Sequence, residues 1–211
     1  MGERLVRNEE VRGSIPLGST NFLIRMQILP PSDALRFNVI GTSGSGKSTF
    51  SRRLADILQA PHIEMDRLFW RPGWQQAPEA DFLADLTAAL DAPRWVLDGN
   101  YSRSIPVKWA SVDAVIWLDY PFAVTFTQAV MRALQRAWRK QELWPGTGNR
   151  ESFRQTFFSR DSILWWTIKT FARNRRTITA LMADPTHARI AFIRLTSRAD
   201  AEAFLHSIAS R

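Results

Sequence analysis

Gly41-Thr42-Ser43-Gly44-Ser45-Gly46-Lys47-Ser48-Thr49 decides the reading of this chain, because it follows the pattern of Gly, four residues, Gly, Lys and then Ser or Thr. Phe37-Asn38-Val39-Ile40 in front of it reads as a short buried strand, and Phe50 to Leu58 behind it as an amphipathic helix. That strand-loop-helix setting is what gives the pattern its physical meaning. Gly41, Gly44 and Gly46 permit backbone angles closed to other residues, so successive N–H groups can turn inward at the helix N-terminus and cradle phosphate oxygens. The residues expected to hold a nucleotide are therefore Gly41, Gly44, Ser45, Gly46, Lys47, Ser48 and Thr49. Lys47 is placed to reach the β- and γ-phosphates of ATP as a point charge, and the Ser48 hydroxyl to ligate Mg²⁺.

The 211 residues, 45% of them hydrophobic, suffice for one core, so the expected organisation is a single domain with an insertion. There is no cysteine, which excludes a disulfide framework, a thiol nucleophile and a Cys-based zinc site. That absence fits a reducing compartment, and the cytoplasm is the expected location. No apolar run reaches the roughly 18 residues of a membrane span, and Met1 to Arg12 is charged where a signal peptide needs an apolar core. Residues 1–34 carry Gly13, Pro16, Gly18, Pro30 and Pro31 without a sustained period and read as a poorly ordered N-terminal extension, with Met26 an alternative start. The domain itself is expected over 35–211.

Beyond the first helix, Pro61 to Asp66 alternates as a second short strand ending in a carboxylate. In open α/β sheets ligands gather beyond the carboxyl ends of strands, so Asp66 is a candidate to receive the proton of an acceptor hydroxyl or to hold the acceptor. His62, at the start of that strand, is read as structural. Leu68 to Trp74 is aromatic and interrupted by Pro72 and Gly73, which predicts a loop near the mouth of the site, with Arg71, Trp70 and Trp74 on it. A helical period follows over Ala80 to Leu90.

Trp95-Val96-Leu97-Asp98-Gly99 is the next strand, apolar and ending in aspartate, the form of a Mg²⁺-holding Walker B element. Ala114 to Leu118, ending at Asp119, is a rival. Asp98 is preferred, since the strand after the second helix is expected beside the first, and Asp119 is the fallback. Asn100-Tyr101-Ser102-Arg103 then places Arg103 where it could grip an acceptor anion. A helix is expected from Pro121 to about Lys140, and after the break at Pro145 to Asn149 two more, about Glu151 to Phe158 and Ile163 to Met182. A last strand at Arg189 to Leu195 and a helix at Ala199 to Ala209 complete five strand patterns. His62, His187 and His206 are too scattered for a zinc site.

Charge is concentrated in one segment. Residues 131–176 hold eleven basic and three acidic residues, an excess equal to the +8 of the whole chain. Such a segment suits a polyanion.

With these motifs in hand, the chain resembles the small nucleoside- and nucleotide-kinase branch of P-loop proteins, for which adenylate kinase is the reference. Val96-Leu97-Asp98-Gly99 with Arg103 soon after is similar to the adenylate kinase stretch whose aspartate serves Mg²⁺ and whose arginine grips the acceptor phosphate. Asn100-Tyr101-Ser102 departs from the Phe-Pro-Arg that follows that glycine, which leaves the acceptor open among nucleosides, nucleotides and other small hydroxyl compounds. A nearer resemblance, from about Phe37 to Leu205, is to the bacterial adenylate-kinase-like group labelled topology modulation proteins. It rests on Asp66 with Leu68-Phe69-Trp70, on Trp95 to Tyr101, and on the later Arg- and Trp-rich segment.

The resemblance implies an α/β, three-layer P-loop NTPase fold with a five-stranded parallel sheet and a helical lid insertion at about 140–175. It implies a lid that closes over ATP, with Arg139, Arg173 and Arg176 as candidates to meet the phosphates. The expected catalytic set is thus Lys47, Asp66, Arg103, Arg139, Arg173 and Arg176, with Ser48 and Asp98 for the metal, and ATP and a small molecule as partners. The competing expectation is a nucleic-acid-associated P-loop ATPase that affects DNA topology, in which the basic segment holds a backbone and Trp138, Trp144, Phe153, Phe157, Trp165 and Trp166 stack bases. The helical spacing of Phe153 and Phe157 argues for packing instead.

Overall fold

The computed structural model describes residues 35–139, 142, 144, 147–149 and 163–210. Chain order is β1 (Arg36–Gly41), α1 (Lys47–Leu58), β2 (His62–Glu64), α2 (Met65–Phe69), β3 (Trp70–Arg71), β4 (Gln75–Gln76), α3 (Glu79–Ala89), β5 (Trp95–Asp98), α4 (Ile105–Lys108), β6 (Ala114–Leu118), α5 (Phe122–Arg139), α6 (Ile163–Ala183), β7 (Ala191–Leu195) and α7 (Arg198–Ala209). The side chains of residues 136, 137, 139 and 163–167 fall outside the description, as do the extension expected at 1–34, the helix expected at Glu151 to Phe158, and most of the expected lid before α6.

Five strands form one parallel sheet in the order β2-β5-β1-β6-β7. β1 lies at the centre, paired in parallel with β5 on one side and β6 on the other. A parallel sheet needs helical crossovers and cover on both faces, and β6 accordingly reads Ala-Val-Ile-Trp-Leu and is buried throughout. Side chains alternate across the pleat. Phe37, Val39, Ile116, Ile193 and Leu195 face α1 and α7, where they meet Leu54, Leu58, Phe204 and Ile208. Ile40, Leu97, Val115, Trp117 and Phe192 face the other way, toward Phe82 and Leu86 of α3 and Ile178 of α6. Helices on both faces make three layers, and all five strands deliver their carboxyl ends to one edge. α7 opens with a capping box between Ser197 and Asp200.

The segment from 65 to 76 differs from the strand end expected at Asp66 and the loop expected at Leu68 to Trp74. It forms a five-residue helix and, beyond it, a two-residue antiparallel hairpin in which Trp70 pairs with Gln76 and Arg71 with Gln75. Aromatic packing holds this unit together. Phe69 meets Trp70 and Tyr101 at ring distances of 5.1 and 4.8 Å, and Trp74 meets Trp144 at 5.8 Å. Pro72 and Gly73 punctuate the turn, but the apolar faces on either side have partners that a local reading does not see.

Two polar side chains sit inside the core beneath the β5 end. Asn38 is fully buried in β1, where its Nδ2 donates to Leu97 O and Gly99 O, each at 3.2 Å, and its Oδ1 accepts from Trp109 Nε1 at 2.9 Å. Lys108 is also fully buried, and burial alone pushes its amine down to about 7. The unfolded chain binds a proton at this site between about pH 7 and the ordinary lysine value of 10.5, while the folded chain does not. Stability from this group therefore rises with pH across that interval and is lost as pH falls through 7. Lys108→Met is expected to flatten the rise, by as much as roughly 5 kcal/mol over the full interval. Urea unfolding of both proteins from about pH 7 to about pH 10 checks it, and a rise that survives the substitution contradicts the assignment.

Candidate functional site

The quoted loop leaves β1 at Gly41 and enters α1 at Lys47, as its spacing requires. Gly46 caps α1 at φ 84°, and α1 has neither a side-chain cap nor an acidic residue in its first turn. The N–H groups of its first turn are consequently left for an outside acceptor, and the helix dipole favours an anion there. Gly44, at φ 85°, fits for a second reason. A Cβ built on it would stand 2.3 Å from Thr125 O and 2.8 Å from the Ala129 methyl, so the loop can lie against α5 only with glycine at this position.

Lys47 folds back over the loop, donating to Gly41 O at 2.9 Å and Thr42 O at 3.1 Å. Burial lowers its pKa, and the nearby Asp98 and Asp66 carboxylates oppose that shift while Arg132 adds to it. Asp98 ends β5 beside β1 and is buried; burial raises its pKa, against Lys47 and a hydrogen bond from Ser48. Ser48, in the first turn of α1, and Asp98, at the end of β5, are the two residues expected to hold a metal. Both present hard oxygen atoms, the chemistry Mg²⁺ selects. Among the described residues no cluster of three or more His, Cys, Asp or Glu side chains could hold a metal alone. This donor set fits a cation that shares its shell with substrate phosphates and water.

Asp119 lies at the end of β6, on the other flank of β1, so adjacency to β1 does not by itself separate it from Asp98. Its partners do. Asp119 is ion-paired with Arg175 at 2.9 Å and with Arg194 at 2.5 Å, and Arg194 also lies over the Trp117 ring. A buried carboxylate shared by two guanidinium groups has its charge already matched.

The strand expected to end in Asp66 stops at Glu64, and Asp66 lies two residues beyond it, exposed in the first turn of α2. Its Oδ1 accepts from the Tyr101 hydroxyl at 2.7 Å. The Tyr101 pKa is raised, first by burial and then by the Asp66 charge. Arg103 is on the short 3-10 turn Ser102–Ser104, mostly exposed, and ion-paired with Glu79 at 3.5 Å. Arg71, from the hairpin, pairs with Asp85 at 3.1 Å. Both arginines are thus paired with carboxylates of α3. Asn149 ties the hairpin to the chain beyond α5, accepting from Trp74 N at 2.9 Å and donating to Arg71 O at 3.0 Å.

Of the expected phosphate-clamp arginines, Arg139 ends α5 with its side chain outside the description, and Arg173 and Arg176 are exposed on α6. Two others that the sequence reading takes only as bulk charge stand nearer the loop's machinery. Arg132 donates to Ser43 Oγ at 3.1 Å, and Arg175 reaches the Asp119 strand end. Asn100 and Tyr101 also go unassigned from sequence, although both lie in the quoted stretch after Gly99. The usable signal is a polar residue immediately beyond a strand end. An open cleft of about 580 Å³ lies between the starts of α5 and α7, lined by Tyr120, Pro121, Val124, Gln128, Ser197 and Arg198 among others. With its amide turned to satisfy both neighbours, Gln128 donates to Gly44 O at 2.7 Å and accepts from Arg198 at 2.6 Å. No helix among the described residues is long and apolar enough to cross a membrane.

No protein-family model and no curated protein matches the chain. Among solved structures it is similar to a gluconokinase from Sinorhizobium meliloti 1021, at 18% identity over 84% of this chain and 95% of that one, with a TM-score of 0.45. It is also similar to a shikimate kinase from Bacteroides thetaiotaomicron, at 15% identity over 83% and 96% with a TM-score of 0.45. A shikimate kinase from Acinetobacter baumannii in complex with shikimate gives 13% identity over 85% and 98%, with a TM-score of 0.48. Likenesses this distant decide nothing about activity or acceptor, and the architecture rests on the sheet order and register given above.

Proposed function

We propose that this protein is a Mg²⁺-dependent phosphotransferase that moves the γ-phosphate of ATP to the hydroxyl of a small acceptor. The observation that carries the reading is the convergence of Lys47, the Ser48–Asp98 pair and the Asp66–Tyr101 pair beyond the carboxyl ends of three neighbouring strands, β1, β5 and β2. Phosphoryl transfer asks for positioning and charge neutralisation more than for covalent help, and these groups supply both. The first-turn N–H groups of α1 and Lys47 hold phosphate oxygens, with Lys47 exchanging its two carbonyl partners for them. Ser48 and Asp98 hold Mg²⁺, which when bound offsets phosphate charge. Asp66 accepts from, or aligns, the acceptor hydroxyl, while Tyr101 fixes its carboxylate.

The cleft beside Gln128 suits a nucleobase, since Gln128 reaches Gly44 of the phosphate loop and the cleft walls are largely apolar. Arg132 and Arg175 join Arg139, Arg173 and Arg176 as candidates to meet phosphate oxygens, and Arg103 and Arg71 as candidates for the acceptor. A lid over about 140–175, a cytoplasmic setting and membership of the adenylate-kinase-like, topology modulation group belong to the same proposal, on the motifs that suggested them.

Lys47→Ala is expected to lower turnover of Mg·ATP about 10³-fold or more while the thermal transition stays in place. Asp98→Asn is expected to raise the Mg²⁺ concentration needed for half-maximal rate. Asp119→Asn should leave that requirement unchanged and lower stability by about 1–3 kcal/mol, because it leaves two arginines short of a partner. If the Mg²⁺ requirement follows Asp119 instead, the metal assignment fails. Asp66→Asn is expected to depress acceptor-dependent turnover with ATP affinity preserved; unchanged acceptor kinetics would remove Asp66 from the mechanism.

A further inference from the structure

Lys108 has no part in the chemistry above, yet it occupies the interior directly below the site. It ends α4, is fully buried, and both of its hydrogen-bond acceptors among the described residues are backbone carbonyls: Asn100 O at 2.9 Å and, weakly, Gly99 O at 3.5 Å. Those carbonyls belong to the loop that follows the metal-ligand candidate Asp98. The same loop clasps the start of the phosphate loop from above. The Asn100 carboxamide accepts from Gly41 N at 3.0 Å and donates to Gly41 O at 2.8 Å, a two-bond amide pair that joins the β5 end to the β1 end. Asn38 grips the loop from a second direction, through Gly99 O, and is itself held by Trp109, the residue after Lys108.

The loop needs such support because of its backbone. Gly99 has φ 147°, and a Cβ there would stand 2.8 Å from the Met65 side chain, so the chain turns sharply between packed groups and directs two carbonyls into the core. A buried carbonyl without a donor is costly, and only a long side chain with a terminal donor can come up from α4 to meet it. Methionine or leucine would fill the same volume without that bond. The amine is retained although burial alone disfavours its charged form.

We propose that Lys108 is a positioning residue that fixes the Gly99–Asn100 loop from below, so that Asn100 keeps its clasp on Gly41 and Asp98 and the phosphate loop hold a common geometry. The consequence for catalysis rests on the kinase reading; the mechanical link does not.

Amide hydrogen exchange on the full chain without nucleotide tests it. In Lys108→Met the Gly41 amide is expected to exchange about ten-fold faster, while the Ala191 amide, bonded to Asp113 O at 3.1 Å in the same sheet, stays within about two-fold of the parent. Added to Asn100→Ala, Lys108→Met is expected to accelerate Gly41 no further, because the clasp is already gone. Lys108→Gln, which keeps an N–H donor, should retain most of the protection. Gly41 exchange that is unchanged, that rises in step with Ala191, or that adds fully in the double variant would overturn the proposal. So would failure of both Lys108 variants to fold, since the lysine would then serve the core and not the loop. In a parallel assay Lys108→Met should weaken the response of turnover to Mg²⁺ by about ten-fold, as a displaced Asp98 would. A parent protein that turns over no Mg·ATP would sink the kinase reading, and the exchange data would still decide the role of Lys108.

Discussion

The parallel pairing of β1 with a strand on each side is the constraint on which the rest of the molecule depends. Its register sets Val39 opposite Asp98 and Gly41 opposite Leu118, so the phosphate loop leaves the sheet between two strand ends that each carry a carboxylate. Because β1 is covered on both faces, it cannot shift by a residue without driving Phe37 and Val39 out of one core layer and Asn38 out of its hydrogen bonds. The position of the loop is therefore a consequence of packing well away from any ligand. The two flanking carboxylates then divide: Asp98 is buried where the charge of the loop's Lys47 acts on it, and Asp119 is ion-paired with two arginines.

Much of this was legible because it is local or periodic. The strand-loop-helix around Gly41 to Thr49, the apolar strands at Trp95 to Asp98 and Ala114 to Leu118, and the helices from Phe122 and Ile163 each carry their own signal, and the structure places them within a few residues of expectation. The five-stranded parallel sheet that the family resemblance implies is the one observed. Residues 65–76 were illegible for a physical reason. A five-residue helix is too short to show a period, and a two-residue hairpin gains its stability from Tyr101, Phe82 and Trp144, which are distant in sequence.

Within the site, the sequence gives residue types but not partners. Asp66 and Asp98 were legible as carboxylates near strand ends. That Tyr101 would hold Asp66, that Asn100 would clasp Gly41, and that Arg175 would be tied to Asp119 depend on contacts spanning 35, 59 and 56 residues. Arginine counts over 131–176 located the charge without saying which side chains the fold turns toward the loop. Lys108 was equally hidden, since a lysine at the end of a short helix reads as solvated unless the loop above it is known to need a donor.

The central claim is that this edge of the sheet transfers phosphate to a small hydroxyl compound. It is tested most directly by incubating the protein with γ-labelled ATP and Mg²⁺ across a panel of nucleosides, nucleotides, sugars and hydroxy acids, with DNA as a separate arm, and following label into the acceptor. The account predicts label in one class of small acceptor in amounts matching the ADP formed, and none of it with Lys47→Ala. ADP and free phosphate released without a labelled acceptor, at a rate that DNA raises, would contradict it.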